Sequence, residues 1–166
     1  MALSSKEGIK NLLGQIPFTA ELYWLVRQRG KPIQSRFSLR HLQNAMPDLV
    51  AQAAALRQNA PVGKNVFIFA TLHYWIEHAA LLGLALASQG HKVTLGFLPY
   101  AEWQSPINRF DLRRQNYYAR KVLEAAAPVM ESVSLLNMRT NYKPMGEGMR
   151  DLVERVTVFD TQYTLQ

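Results

Sequence analysis

Cysteine is missing from all 166 residues. That absence excludes disulfides, thiolate zinc sites, iron–sulfur clusters and cysteine nucleophiles together, and it fits a reducing cytoplasm. Long apolar runs are also missing. The longest, within Trp75–Ala87, falls short of a bilayer-spanning helix. Lys6 and Lys10 near the start have no continuous apolar stretch behind them, so no secretory signal is expected. Nor does the sequence contain G-x-x-x-x-G-K-[ST], a G-x-G-x-x-G turn or G-x-S-x-G, which leaves a P-loop, a dinucleotide site and a nucleophile elbow unsupported. His73, Glu77 and His78 stand in the order H-x-x-x-E-H, not H-E-x-x-H. The two histidines are five apart, off the i, i+4 spacing that places a zinc-binding His pair on one helical face, so no metal site is expected.

What is present is a basic, apolar-rich chain of ordinary domain size. Hydrophobic residues make up 48%, which argues against wholesale disorder. The net charge is +7, with 19 Lys and Arg against 12 Asp and Glu. Such a balance suits an anionic partner, whether a phosphorylated small molecule, an acidic membrane surface or nucleic acid; the plainer reading is a solvated basic surface. Nothing in the pattern resembles an RNA-binding module, so nucleic acid is not expected.

The centre of the chain is NVFIFATLHYWIEHAALLGLALASQGHKVTLGFLPY, Asn65 to Tyr100. A short apolar run (Val66–Ala70), a long apolar segment (Trp75–Ala87) closed at Gly90, and a second run (Lys92–Leu98) closed by Pro99 form the pattern of a βαβ unit with a parallel sheet. Neither run alternates with polar residues, as expected where helices cover both faces. Before this unit, Ile9, Leu12, Leu13 and Ile16 share one helical face. A second helix is expected over Phe18–Arg29, stopped by Gly30 and Pro32, and a third from Ser38 that Pro47 breaks or kinks. Beyond the unit, Ser105-Pro106 reads as a helix start, with the helix running to Ala127. Ser132–Met138 is a third strand, a short helix is placed near Met149–Glu154, and Arg155–Leu165 is β-branched and ambiguous. The expected fold is therefore α/β: a Rossmann-like parallel sheet flanked by helices over residues 61–166, with additional N-terminal helices over 1–60 packed on it. Two amphipathic N-terminal helices beside Lys6, Lys10, Arg27, Arg29 and Lys31 also fit peripheral contact with the inner face of a membrane, although packing on the sheet is favoured.

In open α/β sheets ligands bind outside the carboxyl ends of the strands. That edge carries Thr71, Leu72, His73 and Tyr74 after the first strand, and Pro99, Tyr100, Ala101 and Glu102 after the second. An imidazole there can act as a general base on a hydroxyl, with Glu77 one turn on to orient it; the bland alternative is a histidine bonded to loop backbone. Arg109, Arg113, Arg114, Arg120 and Lys121 cluster in one helix with Asp111. Asn108, Arg109 and Arg113 lie near its start and suit phosphate or carboxylate recognition, whereas Arg120 and Lys121 read as a solvated face.

The stretch FATLHYWIEHAALLGLALASQGHKVTLGFLP, with its Gly90-His91-Lys92-Val93-Thr94 step, resembles the opening βαβ unit of GT-B glycosyltransferases. The resemblance covers about residues 64–100. It implies the N-terminal, acceptor-binding half of an enzyme moving a sugar from a nucleotide-sugar to a hydroxyl, in cell-surface polysaccharide synthesis. No cofactor is implied, the nucleotide-sugar being a substrate. Several inverting members bear a histidine base in the loop that His73 occupies. On this resemblance His73 and Glu77 are catalytic, and Thr71, Tyr74, Tyr100, Asn108, Arg109 and Arg113 line the substrate cleft. Two departures stand out: the usual glycine-rich turn is Thr71-Leu72-His73-Tyr74-Trp75 here, and 166 residues leave no room for a donor domain. The chain is accordingly expected to be a piece of a longer transferase, or to be completed by a partner chain. The alternative is a non-catalytic module that binds an anionic ligand or a protein through the Arg-rich helix.

Overall fold

The structure is a computed structural model that describes residues 5–27, 29, 37–101 and 107–137. Glu102, Ser105-Pro106, Gly30–Pro32, the loop 139–148, the expected helix at 149–154 and the β-branched stretch 155–165 lie outside the described residues. Three strands, β1 (Asn65–Thr71), β2 (Lys92–Leu98) and β3 (Glu131–Ser134), form one parallel sheet in the order β1-β2-β3. Five helices accompany it: α1 (Ser5–Gln15), α2 (Thr19–Val26), α3 (Arg40–Arg57), α4 (His73–Ser88) and α5 (Arg109–Glu124). This is the α/β, Rossmann-like arrangement, with additional N-terminal helices, that the hydrophobic pattern indicates.

β1, α4 and β2 follow the apolar runs closely because each run has the length its element needs. The α4–β2 turn shows why the Gly-His step is there. Gly90 has φ +89, and a Cβ on it would lie 2.0 Å from the Pro61 carbonyl oxygen. His91 Nδ1 accepts the Lys64 amide at 2.9 Å, and Gly63 N–H donates to the Gly90 carbonyl at 3.0 Å. The step thus pins the start of β1 to the start of β2, a structural task.

Of the two outcomes expected at Pro47, a break or a kink, the break does not occur: eighteen residues run as one helix. Proline removes one i→i−4 bond, but Leu42, Met46 and Ala53 on the core-facing stripe are buried on both sides of it and hold the helix together. α2 ends at Val26, short of Arg29, and α5 begins at Arg109 and ends at Glu124, inside the expected limits.

The helices lie on one face of the sheet among the described residues, where covering on both was expected. Val66, Ile68 and Ala70 of β1 pair with Val93, Leu95 and Phe97 of β2 and share that face. Leu84, Ile76, Tyr118 and Leu123 close the core over it, and the Ser134 hydroxyl is hydrogen-bonded to Asn116 of α5 on the same side. The opposite face carries Phe67 and Phe69, which stay 63% and 51% exposed. There the Phe67 ring fills the space that a Cβ on Gly96 would enter, at 2.6 Å.

α1 and α2 pack against α5, away from the sheet. Arg113 joins them: its guanidinium pairs with Glu21 (2.5 Å) and donates to the carbonyls of Gly14 and Ile16. The Arg114 guanidinium lies over the rings of Tyr23 and Phe110, 5.3 Å from each centroid, while bonded to Asp111. Gly14 has no room for a side chain, since a Cβ would lie 2.7 Å from the Phe110 amide.

Candidate functional site

The carboxyl edge of β1 is where strand gives way to helix without a glycine. Thr71 ends the strand opposite Leu98, and Leu72 turns the chain at φ 67, ψ 142 before His73 opens α4. A β-carbon is poorly tolerated in that backbone region, at a cost of about 1–3 kcal/mol. Burial of the Leu72 side chain, only 7% exposed, holds the turn in place. Strain of this kind concentrates at functional sites because surrounding structure must enforce it.

The turn sets His73 half-buried at the first position of α4. Phe37 packs edge-on against the imidazole at 6.2 Å between centroids, and Tyr74 lies against it at 5.3 Å. Nδ1 is buried and has no hydrogen-bond partner among the described residues. An unsatisfied buried polar atom costs about 1–3 kcal/mol, so this nitrogen is a feature that calls for a use.

Glu77 goes elsewhere. Its carboxylate accepts the Leu42 amide at 3.3 Å in the first turn of α3, a helix whose N-cap residue Leu39 offers no side-chain cap. It thereby satisfies an orphan donor and places negative charge at a helix N-terminus, both favourable. Beside it, Tyr118 donates to Gln43 Oε1 at 3.1 Å. Burial, above all, raises the Tyr118 phenol above its ordinary value, partly offset by the Leu39 backbone and the Ser38 hydroxyl; the Glu77 charge adds to the rise. Phe37 and Gln43 were not singled out from the sequence, Ser38 was read only as a helix start and Tyr118 only as packing. Their meeting has no local signal, because they come together only when α3 crosses α4 and α5.

The remaining expected residues separate. Thr71 and Tyr100 are partly exposed along the edge, with the Tyr100 amide bonded to the Leu98 carbonyl at 3.0 Å, and Tyr74 is 41% exposed. Asn108 is the N-cap of α5: its Oδ1 accepts the Asp111 amide at 2.8 Å and its Nδ2 donates to the Asp111 carboxylate at 2.7 Å. Asp111 also takes Lys10 at 2.8 Å. Burial pushes the Asp111 carboxyl up, but the bonds from Lys10 and Asn108 and the Arg114 charge outweigh it and leave the pKa lowered. Arg109 is exposed, whereas Arg113 is spent on Glu21 and the α1–α2 turn. His78 lies on the outer side of α4, exposed beside Trp75. Lys121 is paired with Glu124 at 2.8 Å on the surface.

A second polar group was not foreseen. Asn116 bridges the Ser134 hydroxyl and Asn137 Oδ1 at the carboxyl end of β3. With Arg113 and Arg120 it lines a cleft of about 430 Å³ beside α2. Among the described residues no three His, Asp or Glu side chains come together in a way that could hold a metal ion, and no helix is long and apolar enough to cross a membrane.

Comparison with protein-family models, with curated proteins and with solved structures returns no match for this chain.

Proposed function

We propose that the chain is the acceptor-binding half of a glycosyl-transfer enzyme, with His73 as the base. The observation that carries the reading is the His73 imidazole itself: half-buried and held on a strained strand-to-helix turn at the carboxyl edge of β1. Supporting it are the α/β topology, which favours ligands at this edge, and the resemblance of residues 64–100 to GT-B enzymes. In the proposed step His73 accepts the proton of an acceptor hydroxyl. That oxygen then bonds to the anomeric carbon as the sugar's bond to the nucleoside diphosphate breaks, and the diphosphate leaves with the electron pair. Glu77 serves as a positioning residue at one remove, by tying α4 to α3. The donor is held outside this chain, by a further domain or a partner.

General-base catalysis is worth about 10²–10⁴-fold. His73→Ala in the complete enzyme is therefore expected to lower turnover by at least about a hundredfold, with circular dichroism and melting temperature unchanged. Retained turnover in a folded variant would remove the assignment. On the isolated chain, simple glycosides are expected to shift the His73 imidazole resonances before those of His78 or His91.

A second reading rests on one specific observation. Ile9, Leu12, Ile16, Phe18, Leu22, Leu25 and Val26 are all exposed on α1 and α2 and the turn between them. Exposed Arg27 and Arg29 flank this surface, and Glu21 is turned inward to Arg113. An apolar helical face with a cationic rim suits peripheral docking on an anionic membrane surface. Sedimentation with vesicles containing phosphatidylserine, lost on Leu12→Asp or Leu22→Asp, tests it; equal recovery with neutral vesicles, or none with either, would set it aside.

A further inference from the structure

Arg113, Asn116, Tyr117 and Arg120 recur at spacings of three and four, so they form one stripe along α5. Phe18, Leu22 and Leu25 repeat that spacing along α2 from its N-cap residue. The two stripes wall a cleft of about 430 Å³, a volume within the range of small-molecule sites. Asn137, which closes the short turn Leu135–Asn137 after β3, completes the polar side. Asn116, only 7% exposed, is fixed there by the Ser134 hydroxyl at the end of β3 and by Asn137. A buried amide is tolerated when its bonds are met, and these bonds make the polar wall a built one. The cleft lies by the carboxyl end of β3, the side of an open α/β sheet where ligands bind.

We propose that this cleft binds a small aryl carboxylate, with Arg120 pairing the carboxylate and the α2 stripe covering the ring. The charges on the lining select the anion. Glu21 is the one carboxylate there, against the guanidinium groups of Arg113 and Arg120. Arg113 cancels Glu21 through two contacts, at 3.2 and 2.5 Å, and gives its remaining nitrogen to the carbonyls of Gly14 and Ile16. Lys121, next to Arg120, is taken by Glu124 at 2.8 Å. Among the described residues Arg120 forms no ion pair, so the cleft keeps a single uncompensated positive charge. One surplus cation suits a monoanion, whereas a dianionic phosphate monoester would bring excess negative charge beside Glu21. A guanidinium fork also matches a planar carboxylate with two parallel bonds.

The other wall selects the ring. Phe18, Leu22 and Leu25 are large apolar side chains left exposed, and covering them with a flat apolar body removes that surface from water. Tyr117 is half-buried and held by an edge contact with Trp24, at 5.2 Å between ring centroids. A fixed aromatic wall favours an aromatic ligand in offset or edge-to-face geometry over an alkyl chain. The cleft shares no lining residue with the His73 turn, which belongs to β1 at the far side of the sheet. It is a second site, and the inference does not rest on glycosyl transfer.

The test titrates the full ¹⁵N-labelled chain with naphthoate and, separately, with the neutral naphthalenemethanol, in the absence of vesicles. Saturable shifts are expected at the amides of Asn116, Tyr117, Arg120 and Asn137, with naphthoate bound at least about tenfold more tightly than the alcohol. Arg120→Gln should weaken naphthoate by at least about tenfold and leave the alcohol unchanged. Lys121→Gln should leave naphthoate within about twofold at physiological salt, where exposed charges are screened. The same spectra report that both variants are folded. Equal affinity for acid and alcohol, equal losses in the two variants, shifts gathered at Leu72 and His73 instead, or no saturable shift at millimolar probe would each overturn the proposal. Neither turnover nor vesicle binding enters the readout, so this site and the readings of His73 and of the α1–α2 face fail or succeed separately.

Discussion

Two strand-to-helix junctions sit side by side at the carboxyl edge of the sheet, and they are built in opposite ways. At the start of α5 Asn108 caps the helix, and Asp111 holds Asn108, Lys10 and Arg114. At the start of α4 the turn residue Leu72 is strained, offers no cap, and delivers a histidine with an unused buried nitrogen. One junction is spent on stability. The other keeps strain and a buried nitrogen without a partner among the described residues, and strain of this kind clusters at binding and catalytic positions. The comparison shows that charge density is a poor guide to function here: the arginine-rich helix is largely a fastening, while the uncharged turn holds the candidate base.

The comparison can be broken most directly at Asp111. Asp111→Ala removes a half-buried carboxylate that answers three side chains and is expected to cost about 2–4 kcal/mol in urea denaturation, while leaving the His73 resonances in place. A loss below about 0.5 kcal/mol would reduce the junction to a surface ion pair.

The turn is the next place to press. Leu72→Gly relieves the backbone, but it gives up a buried side chain worth about 1.5–3 kcal/mol; a net loss of about 1–2 kcal/mol is expected. Phe18 supplies the control. It has a similar left-handed φ of 63 but is 76% exposed, so Phe18→Gly should raise stability by up to about 1 kcal/mol. Opposite signs at the two positions would show that packing, and not the local sequence, maintains the strain at Leu72.

The smallest effect is the one on acid stability. The Asp111 carboxyl titrates below its ordinary value of 3.8 in the folded chain. Its contribution is therefore fully present above about pH 4–5 and is lost as pH falls below 3.8 through the folded value. Asp111→Asn should flatten that acid limb relative to the parent. For Tyr118, raised above 10.0, the sign is reversed: its contribution is present below pH 10 and declines as pH rises beyond it. An unchanged acid limb in Asp111→Asn would mean that other carboxylates govern it.

Much of the central unit was legible because each signal was local. Runs of apolar residues of strand length bracket one of helix length, and Gly90 is required by a backbone only glycine adopts readily. Pro47 does not break α3 because propensity is a local quantity, and burial of Leu42, Met46 and Ala53 overrides it. Glu77 sits one turn from His73 on the same helix, and spacing alone joins them; the amide of Leu42, 35 positions away, is what it meets.

By itself the sequence determined the α/β class, the limits of β1, α4 and β2, and the histidine at the carboxyl edge, since all depend on residues within one or two turns of each other. Tertiary structure alone decided the destinations of the charges. Arg113 finds Glu21 across 92 positions and Lys10 finds Asp111 across 101. It also decided that the helices gather on one face, leaving Phe67 and Phe69 bare. The physical reason is common to both: a polar group takes whichever partner removes its desolvation cost, and that partner is chosen by how the layers stack.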